Sequence, residues 1–228
     1  MKTRTQLYVW LKVTVSVAVL VVLVGAVLPD FLRVFAGEAG AAPPPSDGQA
    51  LFNGKDLKGW KVDGADTWKV ENGVVVARGT GEGSILWTLK DYEHYEISLS
   101  YKMEGDHPDS GVFMGNTTYQ VQFGISGSLK RDLSGCIYYG GRGKGRGTYI
   151  AQFPEPQKAV RKGEWNDIII RVTKDRVEVT LNGKKVLDFT ETEPTRSFDP
   201  KGPIGLQLHG NNVMNVFFRD VEVKELGS

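Results

Sequence analysis

Cysteine is nearly absent from this 228-residue chain. A single thiol, Cys136, can build neither an intramolecular disulfide nor a multi-cysteine zinc site. Surplus charge is absent too. With 28 Lys and Arg against 27 Asp and Glu the net charge is +1, which excludes a generally basic nucleic-acid binder and a charge-swollen disordered chain. There are three histidines, His94, His107 and His209, and none lies in the long apolar run at the N-terminus. That run therefore has no imidazole with which to hold a porphyrin-type pigment. After residue 50 no stretch keeps a helical period for three turns, so a helical domain is excluded as well.

The N-terminal 50 residues are of a different kind. Val13 to Leu28 is an uncharged run of 16 residues, which extends back to Leu7 with one interruption, Lys12. At ~1.5 Å per residue, Leu7–Leu28 spans the ~30 Å hydrocarbon core of a bilayer as a single transmembrane helix. Pro29 would end or kink the helix, and Phe31–Phe35 would lie along the interface. The basic flank (Lys2, Arg4, Lys12) keeps the N-terminus cytoplasmic under the positive-inside rule. These features predict a bacterial inner-membrane, single-pass anchor over 1–35, bilayer contact through residues 7–35, and a periplasmic domain. A cleaved signal peptide is the alternative, with Ala39-Gly40-Ala41 as its cleavage pattern. Residues 36–50, with Pro43–Pro45, read as a stiff linker.

Residues 51–228 read as one neutral all-β domain. The first 50 residues take four bases and three acids from the totals of 28 and 27, leaving 24 of each. Asn72-Gly73 and Asn182-Gly183 each sit between β-rich runs, the strongest short hairpin signal. Tyr95, Ile97, Leu99, Tyr101 and Met103 alternate with Glu96, Ser98, Ser100 and Lys102, predicting a strand with one wet face. Asp167–Val172 and Asn215–Val223 add further strands. Many tight-turned antiparallel strands in ~175 residues predict a two-sheet sandwich or jelly roll.

The order of short motifs carries a resemblance. LFNGKDLKGW (51–60), WKVENGVVVA (68–77), DSGVFM (109–114), YQVQ (119–122), SGCIYYG (134–140), GEWN (163–166), VEVTLNGKKV (177–186), GPIGLQLHG (202–210) and FRDVEVKEL (218–226) together resemble the 3-keto-disaccharide hydrolase domain family. The resemblance covers about 51–226 and implies the concanavalin-like jelly-roll fold. It also implies chemistry on a sugar oxidised at C3. The ketone acidifies the C2 proton, and the glycosidic oxygen on C1 is then a leaving group. Such a site needs a base near C2 and an electrophile or metal on the ketone.

This chain departs from the family pattern at several positions. Gln120 stands where members often carry Glu, Met114-Gly115 where many place an Arg, and Leu208 where an Asp often precedes the family's His-Gly.

His209, in LQLHG beside Gln207, is the candidate base or ligand; the alternative is a strand-end histidine bonded to backbone. Gln120 and Gln122 share one strand face, as sugar binding requires, and with Tyr119 and Gln207 they are the candidate substrate-binding residues. Ordinary cross-strand pairing is the competing account. Asp106, His107 and Asp109 crowd one loop, without a metal-ligand spacing, and no metal or other cofactor is expected. Arg142, Lys144 and Arg146 alternate with glycines and form a candidate partner-binding surface, or else a solvated loop.

Three functions are therefore open. The replaced acids favour a membrane-tethered, non-catalytic accessory subunit of a larger membrane protein complex, a photosynthetic reaction-centre or light-harvesting assembly being one setting. Its partners would be membrane-complex subunits and the bilayer. The alternatives are a 3-keto-glycoside hydrolase or lyase working through His209, and a carbohydrate-binding module.

Overall fold

The computed structural model describes residues 47–115, 118–140, 147–153, 157–196, 198–211 and 213–227. The expected anchor (1–35), most of the linker and the basic residues Arg142, Lys144 and Arg146 lie outside the described residues. Among the described residues no helix is long and apolar enough to cross a membrane.

The described residues form fifteen strands. They are β1 (Gln49–Ala50), β2 (Trp60–Gly64), β3 (Trp68–Glu71), β4 (Val74–Thr80), β5 (Ser84–Thr88), β6 (Tyr95–Glu104), β7 (Asp109–Met114) and β8 (Tyr119–Gly124). After these come β9 (Ile137–Tyr139), β10 (Thr148–Ala151), β11 (Asn166–Thr173), β12 (Arg176–Leu181), β13 (Lys184–Thr190), β14 (Ile204–Leu208) and β15 (Val213–Glu225). An eight-stranded sheet runs β13-β12-β11-β6-β15-β4-β3, with β1 added to β15; a seven-stranded sheet runs β10-β9-β8-β7-β14-β5-β2. Every pairing is antiparallel. This is the all-β, two-sheet jelly-roll sandwich that the strand pattern predicts. The β-structure begins slightly earlier than that pattern suggests. Gln49–Ala50, expected as the end of the linker, pairs with Val223 and Glu222, and Asp47 forms an ion pair with Lys224.

Both Asn-Gly pairs close hairpins as anticipated. Asn72 and Gly73 have φ of 51° and 80°, Asn182 and Gly183 49° and 77°, the double left-handed geometry of a turn whose twist matches its strands. Between the sheets, Tyr101 of β6 stacks on Phe123 of β8 at 4.2 Å and 10°. Trp68 of β3 donates its indole N–H to the Ser84 hydroxyl of β5 at 2.9 Å, tying one sheet to the other. Stacks and ties of this kind each contribute about 1 kcal/mol beyond the area they bury.

One strand differs from expectation. The outer side of β6 is wet only at its ends, because Ser98 and Ser100 are buried. Their short side chains sit in register between the longer Ile169 and Glu222, and between Asp167 and Arg219, of the flanking strands. Ser100 also donates to the Asp167 carboxylate at 2.7 Å.

Candidate functional site

The functional side chains collect on the outer face of the seven-stranded sheet. Val112, Val121 and Leu206 point into the core, so their neighbours Gly111, Gln122 and Gln207 point outward. Register aligns Asp63, Ile85, Gln207, Gly111 and Gln122 across five strands. The adjacent row is Lys61, Trp87, Gly205, Phe113, Gln120, Tyr138 and Tyr149. Two glycines flatten this floor. A Cβ at Gly111 would lie 2.2 Å from the Gln120 amide nitrogen, and one at Gly205 would lie 2.4 Å from the Trp87 ring. Glycine at these positions lets Gln120 and Trp87 lie across bare backbone.

Polar groups on this face are buried and paired. Gln120 Nε2 donates to Gln207 Oε1 at 2.7 Å and to the Ser110 carbonyl at 3.2 Å. Gln122 Nε2 donates to Asp109 Oδ1 at 2.7 Å and to the Phe123 carbonyl at 3.1 Å. The other oxygen of Asp109, Oδ2, lies 4.0 Å from His209 Nε2. His209 Nδ1 sits 2.5 Å from the Gly210 carbonyl, which can only accept, so Nδ1 carries the proton and a neutral ring keeps its lone pair on Nε2. Asp109 has a side-chain exposure of 7%, against 41% for His209. Burial raises the Asp109 carboxyl above the ordinary aspartate value, while the His209 ring and the Gln122 amide pull it partly back. A buried acid thus stands behind a solvent-facing imidazole.

The face brings together Gln120, Gln122, Gln207 and His209. Tyr119 is placed otherwise. It points into the sandwich and donates its hydroxyl to Glu191 Oε2 at 2.6 Å, making it part of the framework. Leu208 and Met114 also belong to the core, so neither of those family departures alters this face.

Asp109 is the residue that sequence reasoning passed over, as one of a loop cluster with Asp106 and His107. The signal was present. DSGVFM is a strand, and residues of one parity share a face, so Asp109 joins Gly111 and Phe113 on the site side. A cleft of about 360 Å³ opens elsewhere, at one end of the sandwich, and neither His209 nor Gln207 lines it.

Residues 47–224 match the model of the 3-keto-alpha-glucoside-1,2-lyase-like domain. The chain belongs to that family. A search of curated proteins returned no match. Among solved structures, the chain is similar to a candidate glycosyl hydrolase from Parabacteroides distasonis, at 26% identity and a TM-score of 0.58, over 78% of this chain and 93% of that one. It shares its fold with carbohydrate-binding module CBM66 from Bacillus subtilis, at 15% identity and a TM-score of 0.55, covering 80% and 100% of the two chains.

These likenesses overturn the reading of the domain as a non-catalytic accessory subunit of a membrane complex. They point to a glycosyl-hydrolase-like β-sandwich. The accessory reading assumed a site stripped of carboxylates. Asp109 beside His209 supplies one.

As to a metal on the sugar ketone, no group of three or more His, Cys, Asp or Glu side chains converges among the described residues. The face offers a His–Asp pair and amides, which do not make a cage of charged ligands. The chemistry is therefore written on those side chains.

Proposed function

We propose that this domain cleaves 3-keto-α-glucosides by elimination on the outer face of the seven-stranded sheet. His209 is the base and Asp109 its charge partner. The observation that carries the reading is the oriented imidazole, with Nδ1 committed to the Gly210 carbonyl and Nε2 turned toward Asp109. With a ketone at C3, the C2 proton passes to His209 Nε2. The C2–H electrons form the C1=C2 double bond, and the C1–O bond breaks with its pair going to the leaving oxygen. That oxygen takes its proton from water, while the Asp109 carboxylate faces the imidazolium that forms. The products are a 1,2-unsaturated 3-keto sugar and an alcohol. Gln207, whose Oε1 accepts from Gln120, is left to turn its Nε2 hydrogens toward the ketone oxygen as the polarising donor.

The test is incubation of the full-length protein with a 3-keto-α-glucoside, followed by absorbance of the conjugated product. Turnover by the wild type and its loss in a folded His209→Ala variant are expected. A variant as active as wild type would remove His209 from the mechanism.

A second reading has its own support. Gln120 and Gln207 form an amide pair where relatives often carry a carboxylate, and amides bind hydroxyls without moving protons. Saturable sugar binding without product would favour a binding module. In either case the anchor read from residues 7–35 would hold the domain in the periplasm, and alkaline phosphatase fused after Ser228 would then be active.

A further inference from the structure

The elimination builds negative charge on two oxygens, the ketone on C3 and the leaving oxygen on C1. Gln207 is placed for the first. In the chair of an α-glucoside the C1–O and C2–H bonds are both axial and point to opposite faces of the ring. A base on one face therefore calls for a partner to the leaving oxygen on the other.

Strand order supplies such a partner. β14 ends at Leu208, just before His209, on one side of the floor; β10 lies on the other, with β7, β8 and β9 between. Tyr149 of β10 is in register with Tyr138 and, through it, with the outward-facing Gln120. Its neighbour Ile150 packs on the core, so Tyr149, half-buried, points out over the floor. A bulge falls between Tyr149 and Ala151, and bulges re-aim side chains beside active sites. Tyr138 backs the ring edge-on, with centroids 5.0 Å apart at 63°.

The loop after β8 ties Tyr149 to the His209–Asp109 pair through two successive residues. The Ser126 hydroxyl bonds the Tyr149 phenol, and the Gly127 amide donates to the Asp109 carboxylate. The loop is itself held. The Ile125 amide donates to the Pro108 carbonyl at 2.8 Å, and the Ser126 amide to the Arg131 carbonyl at 3.0 Å. Ser126 is buried; its Oγ accepts from the Leu129 amide at 3.1 Å and lies 3.1 Å from the Ser128 hydroxyl. With Ser128 donating there, the Ser126 hydrogen goes to the phenol oxygen, and the phenol hydrogen is left for a ligand. Burial raises the Tyr149 pKa, the Ser126 bond pulls it partly back, and the Asp109 charge raises it again. The phenol thus stays protonated as a donor.

We propose that Tyr149 is a catalytic residue of the elimination, donating a hydrogen bond to the leaving oxygen on C1 as its bond to carbon breaks. The inference rests on the reading of His209 as the base. The phenol keeps its proton: its O–H dipole steadies the developing alkoxide until water protonates it, so the balance of the reaction is unchanged. A fixed donor of this kind contributes about 100-fold or more to a rate. Its effect scales with the basicity of the leaving oxygen. An alkyl or sugar alkoxide needs the donor, whereas a nitrophenolate already spreads its charge over its own ring.

The test compares methyl and 4-nitrophenyl 3-keto-α-glucosides as substrates of the full-length wild type and Tyr149→Phe. Phenylalanine keeps the ring against Tyr138. It should lower turnover of the methyl glucoside about 100-fold while changing that of the nitrophenyl glucoside less than about threefold. Equal loss on both substrates, or loss on neither, would overturn the Tyr149 assignment and leave the His209 reaction standing. A wild type that turns over neither substrate would remove the elimination, and the role of Tyr149 with it. Ser126→Ala loosens the phenol without removing it and gives a second reading should Tyr149→Phe not fold. There the ratio of methyl to nitrophenyl rates should fall about threefold or more, and an unchanged ratio would also overturn the assignment.

Discussion

The two sheets turn opposite kinds of polarity to the outside. On the eight-stranded sheet the outward polar groups are long, charged and exposed. Arg78 pairs with Glu71, Lys102 with Glu104, and Arg176 and Lys185 share Glu178 and Asp188. On β7, β8 and β14 of the seven-stranded sheet they are mostly amides and one acid, largely buried and joined by hydrogen bonds. Exposed pairs have water as an alternative partner, so they keep an edge soluble and discourage strand addition but contribute little to stability. Buried amides lack that alternative. Each must be satisfied within the face, and the orientation this imposes is what a binding site needs.

That contrast can be broken experimentally. The largest effect is expected on the seven-stranded side, where His209→Ala should lower the elimination rate about 100-fold or more with an unchanged melting curve. Asp109→Asn should lose activity comparably, yet keep or raise Tm at neutral pH. The folded-state pKa of Asp109 is raised by burial, so its contribution favours the fold below the ordinary aspartate value and turns unfavourable as pH rises. Asparagine removes that cost and can still accept from Gln122. Thermal melts at pH 4 and pH 7 check the sign: the variant's advantage should grow with pH.

Next in size is Glu191, the framework acid behind Tyr119. Burial opposes its charge, but Arg196, the Tyr119 hydroxyl and the Glu193 amide outweigh burial and hold it at about 2, against an ordinary value of 4.5. Its stabilisation is therefore present above about pH 4.5 and is lost as pH falls toward 2. Glu191→Gln should lower Tm at pH 7 by about 5 °C and flatten the acid limb of the stability profile.

Gly205→Ala should cost about 1–3 kcal/mol in urea unfolding, since the new Cβ displaces the Trp87 ring. Tryptophan fluorescence would report that displacement. Smallest of all is the other sheet, where Arg78→Ala should leave Tm and turnover within error, both partners of its ion pair being exposed.

The architecture was legible in the sequence because period-two patterning and Asn-Gly turns are local signals. They placed β3–β4, β12–β13 and the buried side of β6 directly. Gln120, Gln122 and Gln207 were legible for a similar reason, since parity along a strand fixes a face. Tyr119 obeys the same rule, so its grouping with the glutamines fails: adjacent to Gln120, it points the other way, into the core. The face of Asp109 was readable from the parity of DSGVFM, but its meeting with His209 required knowledge that β7 and β14 are neighbours, a pairing between segments nearly a hundred residues apart that no local pattern encodes. The buried serines of β6 were hidden for the same reason, their burial being set by the strands on either side.

The most direct test is a crystal structure of the full-length His209→Ala protein soaked with a 3-keto-α-glucoside. The ring should lie on the outer face of the seven-stranded sheet, over Gly111, with C2 toward the vacated imidazole position and the ketone oxygen within reach of Gln207. Sugar bound only away from that face, with Gln207 and Asp109 untouched, would contradict the assignment of the site.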